Sequence, residues 1–480
     1  MLGPDAFRFL SVERSITRSA DWNRSDWPKL WLYNAHYFDD LVAQNATDRR
    51  RWHQELIARW IAENPAATGN GWEPYPTSLR IVNWLKYLLA GNTPVDGMLD
   101  SLAVQARWLR ERLEHHLLGN HLWANAKALV FAGAFFDGLE ARQWLAHGLR
   151  LLRRELREQV LADGGHFERS PMYHAILSED VLDLIQLSRC FAEKFEVADA
   201  TAWKTTAERM LHWLRTMTHP DGGIAFFNDA ALGIAPNLDD LTKYAEVLGL
   251  VPQERAAERT AHLADSGYVR LQVDDAVLLA DVAPIGPDYL PGHAHADSLS
   301  FELSVEGRRT LVNSGTSTYE NNAQRHLERS TSAHNTVVVD GQDSSEVWAA
   351  FRVARRARVH DVQVAKTKDG ASIAAWHDGY LRLPGKVRHH RAWHLSAGML
   401  EITDTLDGDF QLAEARFHLA PEHGLRWVVE GGDARLEPAA WHPEFGQSQD
   451  IEVLVVRFNS PRCRVCFSWN RMTHANPVPV

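Results

Sequence analysis

The chain has 480 residues, 45% of them hydrophobic and 24% charged, an ordinary balance for a soluble globular protein of two or three domains. A formal net charge of -11 argues against a general binder of nucleic acid or of anionic membrane. Three cysteines, Cys190, Cys463 and Cys466, make no disulfide framework, and no apolar run is long enough to cross a bilayer.

The first ten residues, Met1 to Leu10, lack a basic segment followed by an apolar run. No signal peptide is therefore expected, which places the chain in the cytoplasm by default and leaves the periplasm or secretion to a processed form. From about Asp26 to about Leu263 apolar residues recur at helical spacing. Arg80 to Leu89, Trp108 to Leu118, Ala126 to Phe136, Trp144 to Val160, Val181 to Phe195 and Ala202 to Met217 are predicted helices. Short loops such as Gly91-Asn92 and Asp163-Gly164-Gly165 divide them, which predicts helical hairpins packed side by side. From about Ser266 the period changes to two, as in Tyr268 to Val273, Leu299 to Val305 and Glu401 to Leu406, with turn dipeptides between. Residues 1–265 are thus expected as a helical domain and 266–480 as an antiparallel β-sandwich. Most of the 18 Trp are expected in cores. Cys463-Arg464-Val465-Cys466 has redox-motif spacing but alternates as a strand does, so both are predicted strand cysteines.

Polar, titratable residues cluster in both halves. Gly119-Asn120-His121 opens a predicted helix, where Asn at a helix start is most often only a cap. Ser170-Pro171 is a helix opening with Ser170 as cap and Pro171 at the first position, which puts Tyr173 and His174 in the first turn. A tyrosine there, near Arg169, can have its phenolate stabilised and serve as acid or base. His293-Ala294-His295 places two imidazoles on one face of a predicted strand, with Asp297 extending it. That is a credible metal pair, with His334 or Asn313 as the candidate third ligand. Tyr319, Arg325, His326 and Arg329 lie between them; Arg offers a bidentate match to carboxylate or sulfate.

These segments, together with Tyr33 to Phe38 and Pro74-Tyr75-Pro76 with Arg80, resemble the heparinase II/III-like polysaccharide lyases from about Trp31 to at least Trp348. The resemblance implies an incomplete α/α toroid followed by an antiparallel β-sandwich. It also implies β-elimination at a uronic acid of an anionic polysaccharide, such as a glycosaminoglycan, alginate or a bacterial exopolysaccharide, leaving a 4,5-unsaturated end. Asn120 and His121 match the positions that hold the uronate carboxylate. Tyr173 matches the general acid, and the base as well when proton and leaving group share a face. His293 matches the histidine that serves as base or support from the sandwich side, so Tyr173 and His293 are expected to meet around one acidic sugar ring. His295, Asn313 and His334 match a structural metal set, for zinc or manganese, in which an aspartate is usual where this chain has Asn313. Arg80, Arg169, Arg325 and Arg329 are the candidates for gripping substrate carboxylate or sulfate, and Trp84, His174 and Tyr319 complete the expected substrate-binding set. No organic cofactor is expected. Two other readings remain at this point: a hydrolase drawing on Glu168, Asp229 and Asp297, or a non-catalytic protein of polysaccharide assembly.

Overall fold

The computed structural model describes residues 1–250 and 257–469. Described residues of 1–160, 176–208 and 244–250 form one compact unit, and those of 161–175, 209–243 and 257–469 form another.

The first unit is helical. It is built from α1 (Lys29–Tyr37), α2 (Arg50–Glu63), α3 (Pro74–Leu89), α4 (Met98–Arg110), α5 (Gly119–Phe135) and α6 (Leu139–Gln159), with most of α7 (Pro171–Cys190) and α8 (Val197–Thr216) and the end of α9 (Leu238–Val247). Pro74 opens α3 at its first position, where the missing N–H costs nothing. Helix α5 is apolar nearly all round and buried from Leu122 to Ala134, which marks it as the central helix of the unit. It lies close against α6 because both carry glycine at the contact. A Cβ on Gly133 would stand 2.4 Å from the Leu145 nitrogen, and one on Gly148 2.7 Å from Val130. The apolar run from Trp108 to Leu118 is not one helix: α4 stops at Arg110, and Leu118 bends the chain at φ 55° before α5 begins. The Asn125 side-chain oxygen Oδ1 accepts the Glu114 N–H at 2.8 Å, which fixes the intervening turn.

The second unit is an antiparallel β-sandwich. One sheet runs, in spatial order, Gly432–Trp441, Gln449–Phe458, Ala413–Leu419, Arg308–Leu311, Phe301–Val305, Ala276–Asp281, Tyr268–Val273 and Thr260–Leu263, with Val337–Val339 also paired to Ala413–Leu419. The other runs Val359–Lys366, Gly370–His377, Arg388–Ser396, Met399–Asp407, Arg462–Ser468 and Arg426–Glu430. Their inner faces share one apolar core that includes Leu278, Phe301, Leu303, Trp393, Ile402, Phe417 and Val465. Strand period two explains the alternating burial of Gly370–His377 and Met399–Asp407. Cys463 and Cys466 sit on a strand of the second sheet, as the alternation predicts. A buried ion pair lies on the inner face of the second sheet: Arg391 pairs with Asp404 on the neighbouring strand at 2.7 Å, and Arg391 also donates to the carbonyls of Leu299 and Asn335. Helix α9 closes at Val247 and the first strand of the large sheet opens at Thr260, a few residues ahead of Ser266.

Candidate active site

The site grows from three loops of the sandwich unit. The first runs from the Asp163-Gly164-Gly165 turn into α7. Ser170 caps that helix, accepting the Tyr173 N–H at 3.2 Å, and its hydroxyl donates to the Asp229 carbonyl. Arg169 takes φ 59°, a left-handed conformation that turns the chain into the helix. The bend is held by Tyr268, whose hydroxyl donates to the Arg169 carbonyl at 2.6 Å, and by Arg169 Nε, which donates to the Ser266 carbonyl at 3.0 Å. The second loop carries Asn228 and Asp229. The third, His293 to Asp297, is irregular chain rather than the predicted strand. Its two histidines do not owe their placement to a strand face. They are set by Asn228 Oδ1, which accepts the His295 N–H at 3.1 Å, and by the His293 carbonyl, which accepts the Asp229 N–H at 3.0 Å.

Tyr173 and His293 meet as expected, with ring centroids 4.0 Å apart and planes at 33°. His293 Nδ1 lies 2.8 Å from Asp229 Oδ2, and its Nε2 lies 3.7 Å from Glu168 Oε2. Asp229 is fully buried and is the hub. Arg325 grips both of its oxygens, and His295 Nε2 sits 2.8 Å from Oδ1. Burial pushes the Asp229 carboxyl up, but Arg325 and the two histidines overcome this and hold it well below the usual carboxylate range. The carboxylate is therefore an acceptor, and His293 Nδ1 donates to it. The Tyr173 hydroxyl is 3.0 Å from the Tyr319 hydroxyl. Burial, aided by the Asp229 charge, lifts Tyr319 well above an ordinary phenol. Tyr319 thus stays protonated and can donate to Tyr173, and the Arg325 guanidinium lies 4.9 Å from the centre of its ring.

A second polar cluster belongs to the helical unit. Asn120 and His121 open α5, as expected. His121 Nδ1 lies 3.0 Å from Glu114 Oε1, and its ring packs on Tyr75 at 4.5 Å. Asn125 donates to Glu114 Oε2 and to Ser78 Oγ, each at 3.0 Å, so the carboxylate that orients His121 is itself anchored.

The heparinase II/III N-terminal family model matches residues 22–256, and the heparinase II/III-like C-terminal model matches residues 255–470. The chain belongs to the heparinase II/III-like family. A heparin-sulfate lyase of Pedobacter heparinus is 23% identical over 342 residues, covering 63% of this chain and 50% of that protein. A heparin-sulfate lyase of Bacteroides stercoris is 25% identical over 255 residues, covering 49% and 38%. The chain thus spans half or less of the length of these curated relatives. A crystal structure of heparinase III superposes with a TM-score of 0.76 at 18% identity, covering 95% of this chain and 80% of that one. That likeness establishes the fold as helical toroid plus antiparallel β-sandwich.

Several residues expected to grip substrate in this heparinase II/III-like chain grip the protein instead. Arg80 and Trp84 are wholly buried in the helical core; Arg80 stacks 3.8 Å over Trp60 and bonds Gln105. Arg325 and Arg329 are equally buried, one on Asp229 and the other on the Ala294 carbonyl. Arg169 spends donors on the carbonyls of Ser266 and Phe167 rather than on Tyr173, whose hydroxyl lies instead beside that of Tyr319. His174 is buried between the His166 N–H and the Met210 carbonyl.

The residues matching the family's metal set do not fit a metal. Asn313 has both ends of its amide engaged: Nδ2 donates to the Phe226 carbonyl at 2.9 Å and Oδ1 accepts the Asn335 N–H at 3.2 Å. His295 Nδ1 and His334 Nε2 lie 3.2 Å apart and satisfy each other. Among the described residues no group of three or more His, Cys, Asp or Glu is arranged to hold a cation. A chelator is expected to leave the melting temperature unchanged. Asn313→Asp restores the usual acid, and its melting temperature is expected to rise on adding manganese or zinc. A chelator-sensitive wild type in the same thermal-shift assay would contradict this account.

The buried His174 also sets a pH dependence. Burial pulls its pKa down to about 4, against about 6.5 for a free imidazole. Between those values the unfolded chain takes up a proton that the folded chain refuses, so stability falls as pH falls through that window. Wild type is expected to lose about 2 kcal/mol more than His174→Gln between pH 7 and pH 5 in urea unfolding. Equal losses would mean that the imidazole titrates normally in place.

Proposed function

We propose that this protein is a polysaccharide lyase that cleaves a uronate-containing, glycosaminoglycan-like polymer by β-elimination. The observation that carries the reading is the Tyr173–His293 pair, with His293 fixed by Asp229. Elimination needs a base for the C5 proton, an acid for the leaving O4, and neutralisation of the uronate carboxylate. His293 Nε2 is the base, and the imidazolium it forms is stabilised by the Asp229 carboxylate behind it. Tyr173 delivers its phenolic proton to O4, and the phenolate left behind receives the Tyr319 hydroxyl. Neutralising the carboxylate, which stabilises the enolate-like intermediate, falls in this reading to Asn120 and His121. The relatives named as heparin-sulfate lyases support the choice of polymer class.

A hydrolase needs two carboxylates facing the scissile bond. Asp229 is spent on Arg325 and two histidines, and Glu168 and Asp297 are almost wholly buried, so that reading loses its acids. The test is a panel of heparan sulfate, other glycosaminoglycans and alginate, read by ultraviolet absorbance and mass spectrometry. Products with an unsaturated, absorbing end are expected. Reducing ends without that chromophore would make the protein a hydrolase, and polymer binding without cleavage would make it a non-catalytic assembly protein.

A further inference from the structure

The residues 347–353 form a short hairpin in which Val347 pairs with Val353 and Trp348 with Arg352. Its tip is polar backbone held from beneath by the two buried arginines. Arg325 Nε donates to the Ala350 carbonyl at 3.0 Å, Arg329 Nη1 to the Ala349 carbonyl at 2.8 Å, and Arg329 Nη2 to the Arg352 carbonyl at 3.2 Å. The same arginines bind Asp229 and the Ala294 carbonyl, so the hairpin and the His293 loop share one scaffold. Ala349 is held at φ 49°, a left-handed conformation uncommon for alanine. What this rigid tip presents is an aromatic ring and a cation. Phe351 is 40% exposed, although its ring stands 6.0 Å from the His293 ring and 5.3 Å from the Tyr319 ring. Arg352 is exposed as well. Its neighbours Arg355 and Arg356 are paired with Glu346 and Asp288, whereas among the described residues no carboxylate holds Arg352.

We propose that Phe351 and Arg352 form a subsite for the anionic sugar that flanks the one being cleaved, Phe351 stacking on its ring face and Arg352 pairing with its carboxylate or sulfate. The inference rests on the lyase reading and adds a specificity determinant to it. A large apolar side chain left in water beside the reacting pair is what a ring-stacking platform requires. An unpaired guanidinium on a rigid turn matches a planar oxyanion with little loss of side-chain freedom. The clamp by Arg325 and Arg329 gives two fully buried arginines a use: they position the platform and leave the substrate to it.

The experiment compares wild type, Phe351→Ala, Phe351→Trp, Arg352→Ala and Arg352→Lys on heparan sulfate and on its desulfated form. Phe351→Ala is expected to raise KM about tenfold with kcat within about twofold, and Phe351→Trp to restore it. Arg352→Ala is expected to raise KM about threefold and to flatten its dependence on salt, with Arg352→Lys in between. If that effect vanishes on the desulfated polymer, the partner is a sulfate; if it persists, it is the carboxylate. Unchanged KM in both alanine variants, or a fall in kcat alone, overturns the subsite. The same variants are also titrated with uncleaved polymer in the Tyr173→Phe background. A wild type without lyase activity sinks the functional reading but leaves the subsite standing if Phe351→Ala weakens binding in that titration. Equal binding by all variants there overturns the subsite.

Discussion

Tyr173→Phe is expected to lower turnover by about two to four orders of magnitude while polymer binding stays within about twofold. The substitution removes one oxygen. The ring keeps its place over His293, so geometry survives and only proton delivery to the leaving oxygen is lost. Tyr319→Phe separates the acid from its support. It leaves the Tyr173 hydroxyl in place but deletes the donor to the phenolate, and about a tenfold loss is expected, the worth of one hydrogen bond to a charged group. The pH-rate profile of Tyr319→Phe should also shift upward, because an unsupported phenolate is harder to form. Stopped-flow absorbance and polymer affinity measurements decide both. A Tyr173→Phe enzyme with full turnover removes the phenol from the chemistry.

Asp229 carries the other large effect, in two separable forms. Asp229→Ala leaves the buried Arg325 without its counter-charge and frees two imidazoles, and about 3–5 kcal/mol of stability is expected to go. Asp229→Asn keeps shape and volume. Its amide donates where a carboxylate accepted, so the His293 proton moves to Nε2 and the base loses its lone pair. Turnover is then expected to fall about a hundredfold or more in a protein that still folds. Urea unfolding reads the first and steady-state kinetics the second. An Asn variant within threefold of wild type would mean that His293 is not the base.

Much of the fold is legible in periodicity. The change from helical spacing to alternation separates helices such as α5 and α6 from strands such as Met399–Asp407 because each period reports which face is buried. The pairing of Tyr173 with His293 comes instead from the family resemblance that their motifs carry, and the folded chain brings the two ring centroids to 4.0 Å. Burial of charge is what the sequence hides. An arginine reads the same whether it reaches into solvent or braces a core, so Arg80, Arg325 and Arg329 look like substrate grips until their surroundings are known. Asp229 is missed as the orienting acid for a related reason. It follows Phe226-Phe227-Asn228 in an irregular loop, far along the chain from both histidines it serves, and no local spacing ties it to them. The one hint is the φ 58° turn at Asn228, a residue type that tolerates that bend and whose amide receives the His295 N–H.

The Arg391–Asp404 pair has a consequence for how the sandwich comes apart. Arg391 stands on one sheet yet satisfies the carbonyls of Leu299 and Asn335, and Asn335 in turn bonds the carbonyls of Phe301, on the opposite sheet, and of Val312, just past the end of one of its strands. Peeling either layer away would leave Arg391 paired with Asp404 on its own sheet but strip the buried Leu299 and Asn335 carbonyls of their donor at once, a loss no partial opening recovers. Amide hydrogen exchange in Arg388–Ser396 and in Phe301–Val305 should therefore proceed at one shared rate, that of global opening, so that the two layers live and die as a single cooperative body.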